Sequence, residues 1–287
     1  MRRFLLLITL ALCGLVAGGC VDGAFYHPDR VAYHTPVQLG LNVDDVTFYS
    51  RDHTQLHGWF IPARGGARGA VGTVIHCHGN GENITGWVKS VSWLPEAGFN
   101  VFMFDYRGYG ESAGEPDHEG VFQDTVAAIR YAALRPDVNP DKLIVFGQSL
   151  GASLAIAAVG EKPVPHIQAV VADSTFSSYR QIVRDTMARM TVISWFRWPL
   201  SFLIASNSHS PDADVGQLPP ATALLLIHGT DDAVIPVDHS QELYKLAHEP
   251  KALWVIDGGY HCDAMFREDG RYRTMLAAYL RRTLGEP

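Results

Sequence analysis

The sequence predicts an α/β fold in which helices flank a mainly parallel central sheet. Short apolar runs rich in β-branched residues alternate with longer segments that carry apolar residues at helical spacing, as in βαβ units. One such run, residues 143–146, leads through a turn with two glycines directly into a helix-forming run of small residues. The chain has 287 residues, 47% of them hydrophobic, which is enough for one large core.

Strands and helices alternate along the chain, beginning with two strands. These run from Val43 to Ser50 and from Leu56 to Ile61, and the short turn between them predicts antiparallel pairing. The next predicted elements are a strand from Val71 to His76, a helix from Asn83 to Ala97, a strand from Asn100 to Phe104 and a helix from Val121 to Leu134. Further strands are predicted at 143–146, 169–172, 223–227 and 252–256, and further helices after residue 149, at 238–247 and at 271–284.

A long segment, residues 174–221, interrupts this alternation. It is rich in aromatic residues between Ile193 and Ile204. Long insertions of this kind often carry function, so we expect a helical cap over a site at the edge of the sheet. The alternative is ordinary packing of these helices on the sheet.

The first nineteen residues are typical of a secretory signal peptide rather than of the fold. Arg2 and Arg3 precede an apolar stretch that ends near Val16, and small residues follow. The stretch is short for a membrane span, although an uncleaved anchor is the alternative. Residues 16–20, Val-Ala-Gly-Gly-Cys, resemble the lipobox of bacterial lipoproteins, which implies acylation of Cys20 and attachment to a membrane.

Export without a lipid remains an alternative, and the paired arginines hint only weakly at a twin-arginine signal. The prediction divides the chain into a signal peptide (1–19), a tether and lead-in (20–42) and a folded domain (43–287) that contains the cap insertion. We expect a protein of the bacterial cell envelope, or otherwise a periplasmic or secreted one.

Charge and cysteine content narrow the possible functions. The formal net charge is −7, and the chain has no long charge run, so nucleic acid is a poor candidate partner. Two cysteines, Cys77 and Cys262, lie outside the N-terminal segment, and neither has a C-x-x-C spacing. We expect two buried free thiols, with a disulfide between them as the alternative.

The turn at residues 147–151 has the spacing of a catalytic nucleophile. A strand-to-helix turn this tight leaves no room for side chains beside the serine, so both flanking positions need glycine. Ser149 would then be exposed in a strained conformation, with backbone N–H groups at the helix N-terminus nearby. The alternative is a tight packing turn without catalysis.

A serine nucleophile needs a base and an orienting acid, and both candidates follow later strands in the expected chain order. The acid is Asp232, in the loop after the strand at 223–227, with Asp231 and Asp173 as alternatives. It would accept the imidazole Nδ1–H and stabilise the imidazolium. The base is His261, on a glycine-rich loop after the last strand; the alternative is a structural histidine.

An oxyanion hole needs two fixed N–H donors. We assign one to the backbone of Leu150 and the other to the backbone of Asn80, with Gly79 as a weaker choice. His76 and His78 share a strand face and resemble a metal pair, but no carboxylate follows at ligand spacing. The sequence therefore predicts neither a metal nor a cofactor.

Five motifs in order give the sequence a family resemblance. They are Leu56-His57-Gly58-Trp59-Phe60-Ile61-Pro62, His78-Gly79-Asn80, Asp105-Tyr106-Arg107-Gly108-Tyr109-Gly110, Gly147-Gln148-Ser149-Leu150-Gly151 and His228-Gly229-Thr230-Asp231-Asp232. Over residues 43 to 284 the chain resembles an α/β-hydrolase. The subgroup it looks like includes serine hydrolases of acyl esters and thioesters, among them eukaryotic depalmitoylating enzymes. Tyr260 stands where relatives often have a small residue, and we expect it to narrow the pocket.

The predicted function is hydrolysis of a small acyl ester or thioester through an acyl-enzyme on Ser149. The apolar insertion favours a hydrophobic acyl chain. A serine aminopeptidase on the same fold shares every catalytic residue and is one alternative. A lipoprotein that keeps the fold as a non-catalytic binding module is another.

Overall fold

The computed structural model describes residues 25–162, 167–189, 195 and 197–286, with the backbone alone at 203 and 204. The predicted signal peptide (1–19) and the predicted lipidation site, Cys20, lie outside the described residues. Among those described, no helix combines the length and the apolar composition needed to cross a membrane.

Within the described residues, eight strands form one sheet in the order β1-β2-β4-β3-β5-β6-β7-β8. The strand β1 pairs antiparallel with β2, and β2 with β4, whereas the remaining pairs are parallel. The predicted mainly parallel sheet and its antiparallel first pair are confirmed. The strands are β1 (Asp44–Tyr49), β2 (Gln55–Ile61), β3 (Gly72–Cys77), β4 (Phe99–Phe104), β5 (Leu143–Gln148), β6 (Ile167–Asp173), β7 (Ala223–Gly229) and β8 (Lys251–Ile256).

Helices cover both faces of this sheet. Those in the described residues are α1 (Ile84–Val91), α2 (His118–Leu134), α3 (Leu150–Glu161), α4 (Tyr179–Ala188), α5 (Arg197–Ile204), α6 (Pro211–Asp214), α7 (Asp238–Leu246) and α8 (Arg271–Thr283). Short 3₁₀ turns lie at Val37–Leu39, Ala67–Gly69, Val215–Gln217, Ala264–Phe266 and Glu268–Gly270.

The first helix is shorter than the sequence pattern predicts. Its start is as expected, because the Asn83 side chain accepts a hydrogen bond from the Thr85 N–H at 3.0 Å and caps the helix. Its end is at Val91, six residues before the predicted Ala97. Pro95 explains the difference, since its ring would clash with the carbonyl four residues earlier in a continued helix.

Two apolar cores lie on opposite faces of the sheet, as alternation along the strands requires. In β3, Ile75 and Cys77 belong to one core and Val74 to the other. Helix α3 is buried along nearly its whole length, because its small residues let it approach the sheet closely. This contact fixes the residues at the start of α3, directly after the β5 strand, against the carboxyl ends of the parallel strands.

The long insertion is helical where the structure describes it. Helices α4 and α5 lie side by side, and the Arg184 Nε donates to Ser201 Oγ at 3.0 Å. The end of α4 reaches the loop after β7, where Arg189 donates to the carbonyl oxygens of Ala233 and Val234. Residues 190–194 and 196 lie outside the described part, so a cap over the site remains a prediction.

Candidate active site

Ser149 stands at the carboxyl end of β5 in a strained backbone conformation. Its φ is 53° and its ψ is −118°, a backbone conformation that residues other than glycine rarely adopt. The flanking glycines are sterically required. A Cβ on Gly147 would lie 2.3 Å from the Gly151 carbonyl oxygen, and one on Gly151 would lie 2.1 Å from the Cys77 carbonyl oxygen. The expected strained turn is therefore present, with a half-buried serine at its apex.

Asp232 and His261 form a direct hydrogen bond between loops that follow β7 and β8. The His261 Nδ1 lies 2.7 Å from Asp232 Oδ2, and the other carboxylate oxygen accepts the backbone N–H groups of Val234 and Ile235 at 2.8 and 2.9 Å. The His261 side chain is 21% exposed, whereas the Asp232 carboxylate is fully buried. Asp232 thus holds the imidazole through Nδ1, and part of the ring remains accessible to solvent.

The pKa of Asp232 lies well below its ordinary value. Burial alone would raise this pKa, but hydrogen bonds from His228 and His261, the positive charge that His261 can carry, and the Ile235 N–H outweigh the burial. The His228 ring is itself fixed, because its Nε2 donates to the Ile235 carbonyl oxygen at 2.8 Å and its Nδ1 accepts from the Ser240 hydroxyl at 2.6 Å. Asp232 therefore stays a carboxylate across the neutral range.

The other two acid candidates occupy different places. Asp231 is exposed, and among the described residues its side chain accepts a hydrogen bond only from the Thr230 hydroxyl, at 3.4 Å. Its backbone N–H nevertheless ties the two loops together by donating to the Gly259 carbonyl oxygen at 2.9 Å. Asp173 is buried at the end of β6, where it accepts from Gln148 Nε2 at 2.9 Å and from the Ser174 hydroxyl at 3.2 Å. Neither carboxylate bonds to His261.

Ser174 and Cys262 connect the nucleophile turn to the histidine loop, and sequence reasoning gave neither a role. The Cys262 N–H donates to Ser174 Oγ at 3.0 Å. Burial raises the pKa of the Cys262 thiol, as do the nearby carboxylates of Asp173 and Asp232, while hydrogen bonds to Ser174 and to the Ser149 backbone partly offset this. The residue after His261 thus lies against Ser149. Both described cysteines are free and buried, as expected.

The Ser149 hydroxyl makes no hydrogen bond to any described residue, so the structure does not join it to His261 directly. Hydrogen bonds of this kind are often long without substrate and tighten when it binds. What the structure does bring together is the strained serine, the acid–histidine pair and the backbone of residue 262, all at one edge of the sheet.

The predicted oxyanion loop passes directly beside the nucleophile. A Cβ built on Gly79 would lie 3.4 Å from the Ser149 Cβ. The Asn80 side chain is held away from this point, since its Oδ1 accepts from the Tyr109 hydroxyl at 2.7 Å and from the His27 N–H at 2.9 Å. Within the described chain the Asn80 N–H has no acceptor, and the Leu150 N–H is the first of helix α3.

Comparison with known proteins agrees with this fold. Residues 72–191 match a family model described as the alpha/beta hydrolase fold. Over 96% of this chain and 91% of the relative, the sequence is 40% identical to an uncharacterized protein, YfhR, of Salmonella typhi. It is 31% identical to the alpha/beta hydrolase domain-containing protein WAV2 of Arabidopsis thaliana, over 80% of this chain and 75% of that protein. The chain belongs to the α/β-hydrolase family.

Among solved structures, this α/β-hydrolase is similar to an esterase of Pyrococcus furiosus. The TM-score is 0.71 at 26% sequence identity, and the match covers 91% of this chain and 98% of the esterase. An acetyl xylan esterase from Thermoanaerobacterium, at 19% identity and a TM-score of 0.65, shares the fold.

The two histidines that resemble a metal pair have other partners. The His76 Nε2 lies 3.1 Å from Gln148 Oε1, and burial lowers the pKa of His76 to about 3. The His78 Nδ1 donates to the Gly79 carbonyl oxygen at 2.7 Å, and burial lowers the pKa of His78 as well. Among the described residues, no group of three or more His, Cys, Asp or Glu side chains could hold a metal ion.

The hydrolase fold contains a second Ser-His-Asp arrangement that sequence reasoning missed. The Ser177 hydroxyl lies 2.9 Å from His239 Nδ1, and His239 Nε2 lies 3.0 Å from Asp185 Oδ2 on α4. The Ser177 side chain cannot meet a substrate, because the residue is only 1% exposed. Its backbone N–H also donates to the same ring nitrogen at 3.0 Å, so this cluster fastens α4 to α7.

Proposed function

We propose that this α/β-hydrolase cleaves carboxylic ester or thioester bonds through an acyl-enzyme on Ser149. One observation carries the proposal: a strained, half-buried serine lies at the same sheet edge as a histidine whose Nδ1 meets a buried carboxylate at 2.7 Å. That combination supplies a nucleophile, a base and an orienting acid. The likeness to the Pyrococcus esterase supports the ester class.

In this proposal Ser149 attacks the acyl carbonyl carbon while His261 Nε2 takes the hydroxyl proton. Asp232 holds the ring through Nδ1 and stabilises the imidazolium that forms. The N–H groups of Asn80 and Leu150 bind the oxyanion, and His261 then protonates the leaving alcohol or thiol. Water repeats the sequence on the acyl-enzyme and releases the acid.

Turnover of p-nitrophenyl acyl esters, compared with aminoacyl p-nitroanilides, tests the bond that is cleaved. We expect the esters to be hydrolysed, the anilides not, and Ser149→Ala to be inactive. Ser177→Ala is the matched control, because its hydroxyl is buried, and we expect this variant to retain activity. Turnover of the anilides alone would contradict the esterase assignment and support an aminopeptidase.

We further propose that the chain is exported and attached to a membrane by acyl chains on Cys20. The lipobox-like residues 16–20 support this. Metabolic labelling with an alkyne fatty acid should modify the expressed wild-type protein and leave the Cys20→Ser variant unmodified. An unlabelled wild type, or equal label in the variant, would contradict the anchor.

A further inference from the structure

Three large aromatic side chains on and beside helix α5 are exposed to solvent. Trp195 is 88% exposed, and Trp198 and Phe202 are each 57% exposed. Trp198 and Phe202, four residues apart, lie on one side of this helix, and Trp195 precedes its first residue by two positions. Side chains of this size are seldom left in water together, and exposed aromatic groups of this kind mark a surface that contacts a partner.

The same region is basic, although the chain as a whole is acidic. Residues 178–204 contain four arginines and a single acidic residue, Asp185, in a chain with 23 basic and 30 acidic residues. Two of these arginines lie among the aromatic groups. The Arg184 guanidinium is 4.2 Å from the Trp198 ring centroid, and that of Arg180 is 4.6 Å from the Phe202 centroid. Aromatic and cationic side chains together match an anionic lipid surface.

The described chain begins beside this region. The Phe25 ring is 5.5 Å from that of Tyr179, the first residue of α4. The next residue, Arg180, donates to the carbonyl oxygen of Ala205, directly after α5, at 3.2 Å. Cys20 precedes Phe25 by five residues, so the Cα atom of Cys20 lies within roughly 18 Å of the Cα atom of Phe25. An acyl group on Cys20 would thus enter a bilayer close to the exposed aromatic row.

The far end of helix α4 lies beside the acid loop of the proposed active site. Arg189, at the end of α4, donates to the carbonyl oxygens of Ala233 and Val234, which directly follow Asp232. The tether and the acid loop therefore meet opposite ends of the α4–α5 pair.

We propose that Trp195, Trp198 and Phe202, with the arginines of α4 and α5, form a docking surface for an anionic phospholipid bilayer. Docking turns the site toward the membrane, so that the substrate is an acyl ester or thioester embedded there. The substrate part rests on the proposed function; the docking surface does not.

Vesicle flotation tests the surface. The probe is the predicted mature chain, residues 20–287, carrying Cys20→Ser, mixed with phosphatidylcholine vesicles that contain or lack phosphatidylglycerol. We expect flotation with the anionic vesicles, weakened about tenfold or more in a Trp195→Ser, Trp198→Ser, Phe202→Ser triple variant. The matched control is Tyr49→Ser, which alters a side chain 60% exposed on β1 and should float like the parent.

Two enzymatic readouts separate failure of docking from failure of the proposed function. Hydrolysis of a short soluble ester should be equal in the parent and the triple variant, while hydrolysis of a long-chain ester embedded in the vesicles should fall with binding. Equal flotation of parent and variant would overturn docking. Docking would also be overturned if the triple variant sedimented differently from the parent but bound vesicles equally. That result would indicate that the surface contacts a second copy of the chain. Inactivity of both proteins on the soluble ester would overturn only the substrate assignment.

Discussion

Replacing Asp232 by asparagine removes the charge behind His261 while keeping the shape of the side chain. The amide oxygen can still accept the N–H groups of Val234 and Ile235, which hold the carboxylate now. The amide nitrogen, however, faces His261 Nδ1, where the carboxylate oxygen lies at 2.7 Å. As a donor, it favours the tautomer with the proton on Nε2, and that tautomer cannot accept the serine proton.

The expected effect on rate is much larger than the effect on stability. A wrong tautomer together with an unstabilised imidazolium costs about 10⁴-fold in kcat, equivalent to roughly 5.5 kcal/mol of barrier. The free energy of unfolding should fall by about 1.5–3 kcal/mol, the contribution of the one hydrogen bond to a charged group that is lost. Because folding lowers the pKa of Asp232, this difference is present at neutral pH and shrinks as acid protonates the wild-type carboxylate.

The assay is kcat for a p-nitrophenyl ester, paired with urea unfolding of the same samples. Asp231→Asn is the matched control, because its side chain is exposed and does not contact His261, and we expect nearly wild-type turnover. A fast Asp232→Asn enzyme with a slow Asp231→Asn enzyme would refute the assignment of the acid. So would equal losses in both variants when both remain folded.

Four further changes give expected outcomes. Ser149→Gly should abolish ester hydrolysis yet raise the urea midpoint, since relief of the positive φ contributes about 1–3 kcal/mol; an unchanged midpoint would argue against strain. Gly151→Ala should cost about 3 kcal/mol or more in the same assay, because its Cβ would lie 2.1 Å from the Cys77 carbonyl oxygen. Burial raises the pKa of Asp173 to about 6, so the native state keeps a proton that the unfolded chain loses, and stability falls with rising pH. Between about pH 4 and pH 7 this decrease in the free energy of unfolding is roughly 3 kcal/mol at most. Asp173→Asn should remove it, and thermal unfolding measured across that pH range is the test. Ser177→Ala should leave ester turnover within about threefold, and a larger loss would give the second Ser-His-Asp cluster a role in catalysis.

The strands could be predicted to within about two residues because each is an apolar run between turn residues. Their alternation with helices is enough to predict a parallel sheet and to place Ser149, Asp232 and His261 at one edge. Helix α1 shows where this reasoning fails. The apolar spacing continues past Val91, but Pro95 cannot join the helix.

Contacts between residues far apart in the chain could not be predicted from spacing. Asp231 and Asp232 are neighbours in one loop, and only the turn that directs Asp232 Oδ1 to the N–H groups at 234 and 235 distinguishes them. The bond between Ser174 and the backbone of residue 262 depends on two loops whose separation in sequence is 88 residues. The position of Ser174 directly after a buried strand was the one available signal.

Labelling with a fluorophosphonate probe tests most directly whether Ser149 is a nucleophile. The account predicts one label per chain, located by mass spectrometry on the peptide that contains residue 149, and absent from a folded Ser149→Ala protein. Asp232→Asn should label far more slowly than wild type. A folded wild-type protein that stays unlabelled, or a Ser149→Ala protein that labels at the wild-type rate, would contradict it.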